Sequence, residues 1–62
     1  MEKFNKKVKL IDTKGLDEDV ISQIEDVMIY TNDHYENETM FVQVQNSKGE
    51  IIIIFPERIE EI

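Results

Sequence analysis

The single histidine of this 62-residue chain lies in a run of acidic and aromatic residues that could bind a metal ion or transfer a proton. His34 is flanked by Asp33, Tyr35 and Glu36, and Glu38 follows two positions later. Imidazole is a common metal ligand and titrates near neutral pH. The spacing matches no zinc pattern, and a calcium loop needs Asp or Asn at alternate positions with a glycine bend. We therefore interpret this run as a solvated acidic loop and expect no metal.

Other side chains suited to catalysis are few. The chain contains no cysteine, which excludes a thiolate nucleophile and a disulfide. Ser22 and Ser47 are its two serines, and neither has a neighbour in the sequence that would activate a hydroxyl. A glycine-rich phosphate loop and an HExxH motif are both missing, and so small a domain scarcely encloses a pocket. We predict no catalytic residues, no cofactor and no enzymatic activity.

Carboxylates dominate residues 16–31, where no lysine or arginine offsets them. Like charges one helical turn apart repel each other, at a cost of about 0.2–0.5 kcal/mol per pair. This face could bind a basic protein, in the manner of a DNA backbone, or it could simply keep an acidic protein in solution. The candidate binding residues are Glu18, Asp19, Glu25 and Asp26.

The charge is divided unevenly along the chain. Five lysines against two carboxylates give residues 1–14 a charge of +3, and two bases against twelve carboxylates give residues 15–62 a charge of −10, for a net −7. The acidic body should repel nucleic acid and anionic membranes, so we expect neither as a partner. We interpret the lysines as charges that protect an edge strand from pairing with other chains.

The length and composition indicate a single small domain. No apolar run approaches the ~20 residues needed to span a bilayer, and no signal-peptide pattern follows the charged N-terminus. We expect a soluble cytoplasmic protein. The abundance of Ile, Lys and Asn, with no Ala, suggests a low-GC bacterium or its phage.

The apolar periodicity predicts the elements that position these residues. They are a strand over residues 6–12, a helix over 16–30, a polar loop over 31–38, strands over 39–45 and 50–55, and a helical turn over 57–62. Asp17 suits the N-cap of the helix. At about 100° per residue, an arc of roughly 140° holds the apolar side chains of the helix: Leu16, Val20, Ile21, Ile24, Val27 and Met28.

Five consecutive large apolar side chains, "IIIIF", occupy residues 51–55. A symmetric hairpin places Val44 opposite Ile51 and Val42 opposite Ile53, with these residues under the helix. Side chains alternate along a strand, so the others form an open apolar face. The residues of that face are Ile11, Phe41, Ile52 and Ile54.

The resulting fold is α+β with the order β-α-β-β: a three-stranded sheet of spatial order 1-3-2, one amphipathic helix on one face and a short C-terminal helical turn. The alternative is a small SH3-like barrel, which also ends in a hairpin and a helical turn and would make residues 24–30 a strand. We predict a small acidic interaction protein that forms a homodimer through the open face. The alternative function is an acidic, DNA-mimicking inhibitor that occupies the basic site of a nucleic-acid-binding protein.

Overall fold

A computed structural model describes residues 4–62 as one five-stranded sheet with very little helix. The elements are β1 (Lys6–Leu10), α1 (Glu18–Gln23), β2 (Met28–Glu36), β3 (Thr39–Gln45), β4 (Ile51–Ile54), a 3₁₀ turn (Pro56–Arg58) and β5 (Ile59–Glu61). The strands lie in the order β4-β3-β2-β1-β5, and every neighbouring pair is antiparallel. The predicted three-stranded sheet of order 1-3-2 under a long helix is therefore wrong.

The predicted helix over 16–30 survives only as the six residues of α1. Its C-cap, Ile24, already has extended backbone angles (φ −76°, ψ 133°), and β2 begins at Met28. Residues 28–31 are Met-Ile-Tyr-Thr, and aromatic and β-branched side chains pack better on a pleated sheet than in a helix. Here β2 pairs with both β1 and β3, so its backbone groups are satisfied by the sheet. The predicted polar loop 31–38 is mostly part of β2.

A bulge at Thr31 interrupts the pairing of β2 with β3. Its first residues pair with β1, and the register with β3 shifts between Tyr30 and Asn32. The Thr31 hydroxyl donates to the Gln43 carbonyl oxygen at 3.2 Å and accepts from the Gln43 side chain at 3.2 Å. A bulge bends its strand and increases the local twist. The sheet can therefore curve around its core.

The core lies on one face of this sheet. Its buried residues are Val8, Met28, Val42, Val44, Ile52 and Ile54. The segment between β1 and β2 crosses this face, because Leu16, Val20 and Ile24 pack against the core. Those three residues therefore point inward, as the predicted apolar arc required. The arc also contained Ile21 and Val27, which are exposed.

The hairpin of β3 and β4 has a different register from the symmetric one. Val44 pairs with Ile52 and Val42 pairs with Ile54, a shift of one residue. The amide N–H of Asn46 donates to the Glu50 carbonyl oxygen at 3.0 Å, so residues 47–49 form a three-residue loop. Gly49, with φ +83°, takes the left-handed position that such loops need. Because the side-chain period of a strand is two, this shift turns every β4 side chain to the other face.

Strand β1 lies between β2 and β5, so the interpretation of its lysines as protection for a sheet edge is also wrong. Lys6 pairs with Glu61 at 3.7 Å and Lys9 pairs with Glu60 at 3.6 Å, both across to β5. The basic first strand and the acidic end of the chain are therefore neighbours. Strand β4, which was expected at the centre, forms one edge of the sheet.

The SH3-like alternative agrees better with this arrangement. It predicted a strand within residues 24–30 and a hairpin followed by a helical turn, as seen in β2, in the β3–β4 hairpin and in the 3₁₀ turn. The helical turn predicted over 57–62 is only partly present, since residues from Ile59 form β5. Within residues 4–62, every helix is too short or too polar to cross a membrane.

Candidate protein interface on the outer face of the sheet

Large apolar side chains form a cluster on the sheet face opposite the core. Ile51, Ile53 and Phe55 are 52%, 46% and 43% exposed. Phe41, on β3, stacks on Phe55 with ring centroids 4.9 Å apart and planes inclined by 29°. We refer to Phe41, Ile51, Ile53 and Phe55 as the outer apolar patch. Single exposed hydrophobic residues are common in proteins, whereas a contiguous group on adjacent strands is typical of an interaction surface.

The hairpin positions this patch. In β4 the isoleucines alternate, so that Ile52 and Ile54 enter the core while Ile51 and Ile53 face outward. Gln45 and Gln43 lie opposite the two outward isoleucines on β3. The Gln45 amide donates to the Gly49 carbonyl oxygen at 3.2 Å, which holds this side chain beside the turn. Polar but uncharged neighbours therefore border the patch on the β3 side.

The placement predicted for the sheet-face residues is corrected by this geometry. Ile52 and Ile54 are each only 4% exposed and belong to the core. Ile11 is 56% exposed, but it follows β1, which β2 separates from β3. Phe41 alone of the four lies in the patch. The symmetric register wrongly predicts Ile51 and Ile53 under the helix, although the Asn-x-x-Gly spacing of the turn is compatible with a three-residue loop.

Asn46 is the residue that fixes the register. It is buried, and its side-chain oxygen accepts from the amides of Lys48 and Glu50 at 3.0 and 2.9 Å. Its side-chain nitrogen donates to the Gln23 carbonyl oxygen at 2.8 Å and to the Glu50 carboxylate at 2.9 Å. One amide therefore closes the turn and joins it to the end of α1. Buried polar groups with all their partners present specify a single arrangement.

His34 extends the aromatic row at the border of the patch. It lies opposite Phe41 in the β2–β3 pairing, and the two rings are 6.2 Å apart. Its Nε2 atom is 3.4 Å from the Glu36 carboxylate. In the part of the chain that the structure describes, no three His, Cys, Asp or Glu residues come together as metal ligands. This histidine therefore stands beside one carboxylate and one phenyl ring.

The four candidate acidic residues do not form one helix face. Glu18 and Asp19 are exposed in the first turn of α1, whereas Glu25 and Asp26 lie beyond its end. The Glu25 carboxylate accepts from the amide of Ser47 at 2.8 Å and from its hydroxyl at 2.7 Å. These two hydrogen bonds lower the pKa of Glu25 below its ordinary value. Glu25 thus attaches the segment after α1 to the β3–β4 turn.

A cavity of about 270 Å³ opens at one end of the core face. Its walls are mostly apolar, and its lining residues are Lys6, Val8, Tyr30, Met40, Val42, Pro56, Ile59 and Glu61. The Tyr30 hydroxyl donates to the Asp33 carboxylate, and burial together with this bond raises the pKa of Tyr30 to about 12. Its phenol therefore stays neutral at physiological pH. The cavity is slightly smaller than the ~300 Å³ at which typical ligand pockets begin.

Comparison with known proteins gives no relative from which a role could be transferred. No protein-family model matches the sequence, and neither curated proteins nor solved structures give a significant match. The geometry and charge of this chain are therefore the basis on which its function is inferred.

Proposed function

We propose that this chain is a small acidic interaction protein without enzymatic activity, and that it forms a homodimer through the outer apolar patch. The observation that supports this proposal is the cluster of Phe41, Ile51, Ile53 and Phe55. Ile51, Ile53 and Phe55 are each roughly half exposed. Patches of a few hundred Å² on a protein surface are often functional. Burial of this one in a dimer would remove apolar area from water at about 25 cal/mol per Å².

A second copy suits this patch for reasons of size. Among residues 4–62 the core contains six buried hydrophobic residues, and a domain this small buries a limited share of its surface. Association stabilises the folded state of such a chain by mass action, because only the folded form presents the patch. Each copy carries a charge of −7, so apolar burial has to overcome a general repulsion.

The experiment that tests the proposal compares two matched substitutions. Ile53→Lys places a charge in the patch and should convert the dimer to a folded monomer, because a desolvated interface does not tolerate an unpaired charge. Ile11→Lys makes the same chemical change at an exposed position outside the patch and should leave the dimer intact. Sedimentation velocity measures the assembly state, and circular dichroism checks the fold.

Three results would contradict the proposal. In one, the wild-type chain sediments as a monomer up to about 1 mM, a concentration at which even weak association is visible. In another, the Ile53→Lys and Ile11→Lys variants dimerise equally well. Loss of the dimer in Ile11→Lys alone would place the interface near β1 and not on β3 and β4.

The second candidate function, an acidic inhibitor of a nucleic-acid-binding protein, is favoured by one feature. Residues 15–47 contain eight carboxylates and no lysine or arginine, and Glu18, Asp19 and Asp26 among them are exposed. Such a surface would attract a basic protein at long range. Association with a basic protein weakens as salt rises, whereas an apolar dimer of two acidic chains becomes tighter. The two functions therefore predict opposite changes of affinity with salt concentration.

A further inference from the structure

Strand β4 forms an edge of the sheet and lacks the features that usually protect such an edge. Within residues 4–62 its only strand neighbour is β3. Its sequence is four isoleucines, with no lysine, no proline and no bulge in its pairing with β3. Natural edge strands commonly carry charge, proline or a bulge because a flat apolar edge pairs with other chains.

The opposite edge, β5, does have such features. It is three residues long, and Glu60 and Glu61 supply two charges. Both carboxylates also pair with lysines of β1. The contrast between the two edges therefore singles out β4 as the edge that is open to a partner strand.

The direction of the β4 backbone groups follows from the turn. Asn46 and Glu50 form a hydrogen-bonded pair, and such pairs alternate along an antiparallel ladder. Ile52 and Ile54 therefore bond to β3, while the N–H and C=O groups of Ile51 and Ile53 point away from it. In the described part of the chain, no backbone hydrogen bond outside the strand ladders reaches Ile51 or Ile53. Two donors and two acceptors are thus aligned along this edge.

We propose that the second copy in the homodimer binds this edge, with β4 pairing antiparallel to its own counterpart about a two-fold axis at Ile52. This inference rests on the dimer proposed above and specifies its geometry. Ile51 of one copy then lies opposite Ile53 of the other, and the two such pairs exchange four backbone hydrogen bonds. The outward side chains of Ile51 and Ile53 then pack against their counterparts across the seam, so the adjoining margins of the two outer apolar patches are buried and the patches join on one face of a continuous ten-stranded sheet.

Pairing at this edge places opposite charges close together at both ends of the seam, within the net repulsion of two acidic chains. Antiparallel pairing brings the 46–50 turn of one copy beside the 3₁₀ turn of the other. Lys48 in the first turn is exposed, and so is Glu57 in the second. The two-fold axis therefore creates two pairs of Lys48 with Glu57, and the Glu25 carboxylate bound to Ser47 is a like charge near each pair. The seam buries only the β4 edge and the adjoining margins of the two patches, so the total should fall below about 1,000 Å² and the dimer should be weak.

The backbone and side-chain contributions can be separated by chemical synthesis of the 62-residue chain with an N-methyl group on Ile53. The methyl group removes the outward donor but retains every side chain and the ladder with β3. We expect dimerisation to weaken about tenfold or more, since the two-fold axis repeats the loss of a hydrogen bond. Amide hydrogen exchange of the wild-type chain gives an independent readout, because Ile51 and Ile53 should gain about tenfold protection between about 10 µM and 1 mM.

The possible outcomes are distinct. Concentration-dependent protection of those two amides, with a weakened N-methyl dimer, supports edge pairing. If the wild-type chain dimerises but the exchange rates of the Ile51 and Ile53 amides do not change with concentration, edge pairing is overturned. A dimer through the patch is still consistent with that result. Edge pairing is also overturned if the N-methyl chain dimerises as tightly as the wild-type chain. A wild-type chain that remains monomeric overturns both proposals.

Discussion

At the scale of single residues, Asn46 decides which isoleucines are exposed. Both registers of the β3–β4 hairpin place an isoleucine opposite Val42 and another opposite Val44, because all of residues 51–55 are large and apolar. Alternating polarity normally specifies register, and this strand has none. The hydrogen bonds of the buried Asn46 side chain with Lys48, Glu50 and Gln23 select the observed register. Sequence pattern therefore predicted the hairpin but not its inner face.

Glu25 provides a prediction about pH. Its hydrogen bonds with Ser47 hold the pKa of the folded-state carboxyl below the ordinary value of 4.5. The stabilisation that the ionised Glu25 carboxylate gives the folded state is therefore fully present above pH 4.5. It is lost as the pH falls through the folded-state pKa. Urea unfolding should show that acid destabilises the wild-type chain more than a Glu25→Gln variant.

The neighbouring Asp26→Asn substitution is the control for this measurement. It also removes one negative charge, and the Asp26 side chain is exposed. It should leave the acid loss of stability close to that of the wild-type chain. If Glu25→Gln and the wild type lose stability in parallel below pH 4.5, the bond with Ser47 has no energetic weight.

At the scale of elements, the segment from Ile24 to Tyr30 shows why periodicity misled. Leu16, Val20 and Ile24 follow helical spacing and do point into the core. Met28 continues that spacing, yet it also begins the alternation of β2, where Met28 and Tyr30 face inward. A local pattern that fits both periods is decided by pairing with β1 and β3, which are distant in sequence.

The turn between β2 and β3 gives a prediction at this scale. Asn37 and Glu38 both have positive φ, 49° and 66°, as a type I′ turn requires. Asparagine tolerates this region, whereas the Cβ atom of glutamate costs roughly 1–2 kcal/mol there. Glu38→Gly should therefore raise the free energy of unfolding by about 1 kcal/mol, after allowing for the greater entropy of glycine in the unfolded chain.

Glu36→Gly is the matched control, since it makes the same change two positions earlier in regular β2. There glycine should lower stability by roughly 0.5–1 kcal/mol. Thermal or urea unfolding measures both variants. Destabilisation of the two variants to the same extent would mean that Glu38 is not strained.

At the scale of the whole molecule, the order of the strands depends on contacts between the two ends of the chain. Strand β5 pairs with β1, and the lysines of β1 meet the carboxylates of β5. The uneven charge was evident in the sequence, and its complementarity could have suggested this pairing. The strand order could not be predicted from local sequence patterns, because β1 and β5 are far apart in the sequence and no turn joins them.

The same scale sets the balance between attraction and repulsion in the proposed dimer. Apolar burial at the patch favours association, while two chains of charge −7 repel each other. Added salt shortens the Debye length from about 14 Å near 50 mM to roughly 4 Å near 500 mM, so it screens the repulsion and leaves apolar burial in place. The association should therefore become tighter as salt is added.

Sedimentation equilibrium of the wild-type chain at about 50 and 500 mM NaCl tests whether apolar burial holds two acidic chains together, since these concentrations lie on either side of physiological ionic strength. We predict a reversible monomer–dimer equilibrium whose dissociation constant is lower at the higher salt concentration. A chain that stays monomeric in both buffers, or a dimer that weakens as salt rises, would contradict the account.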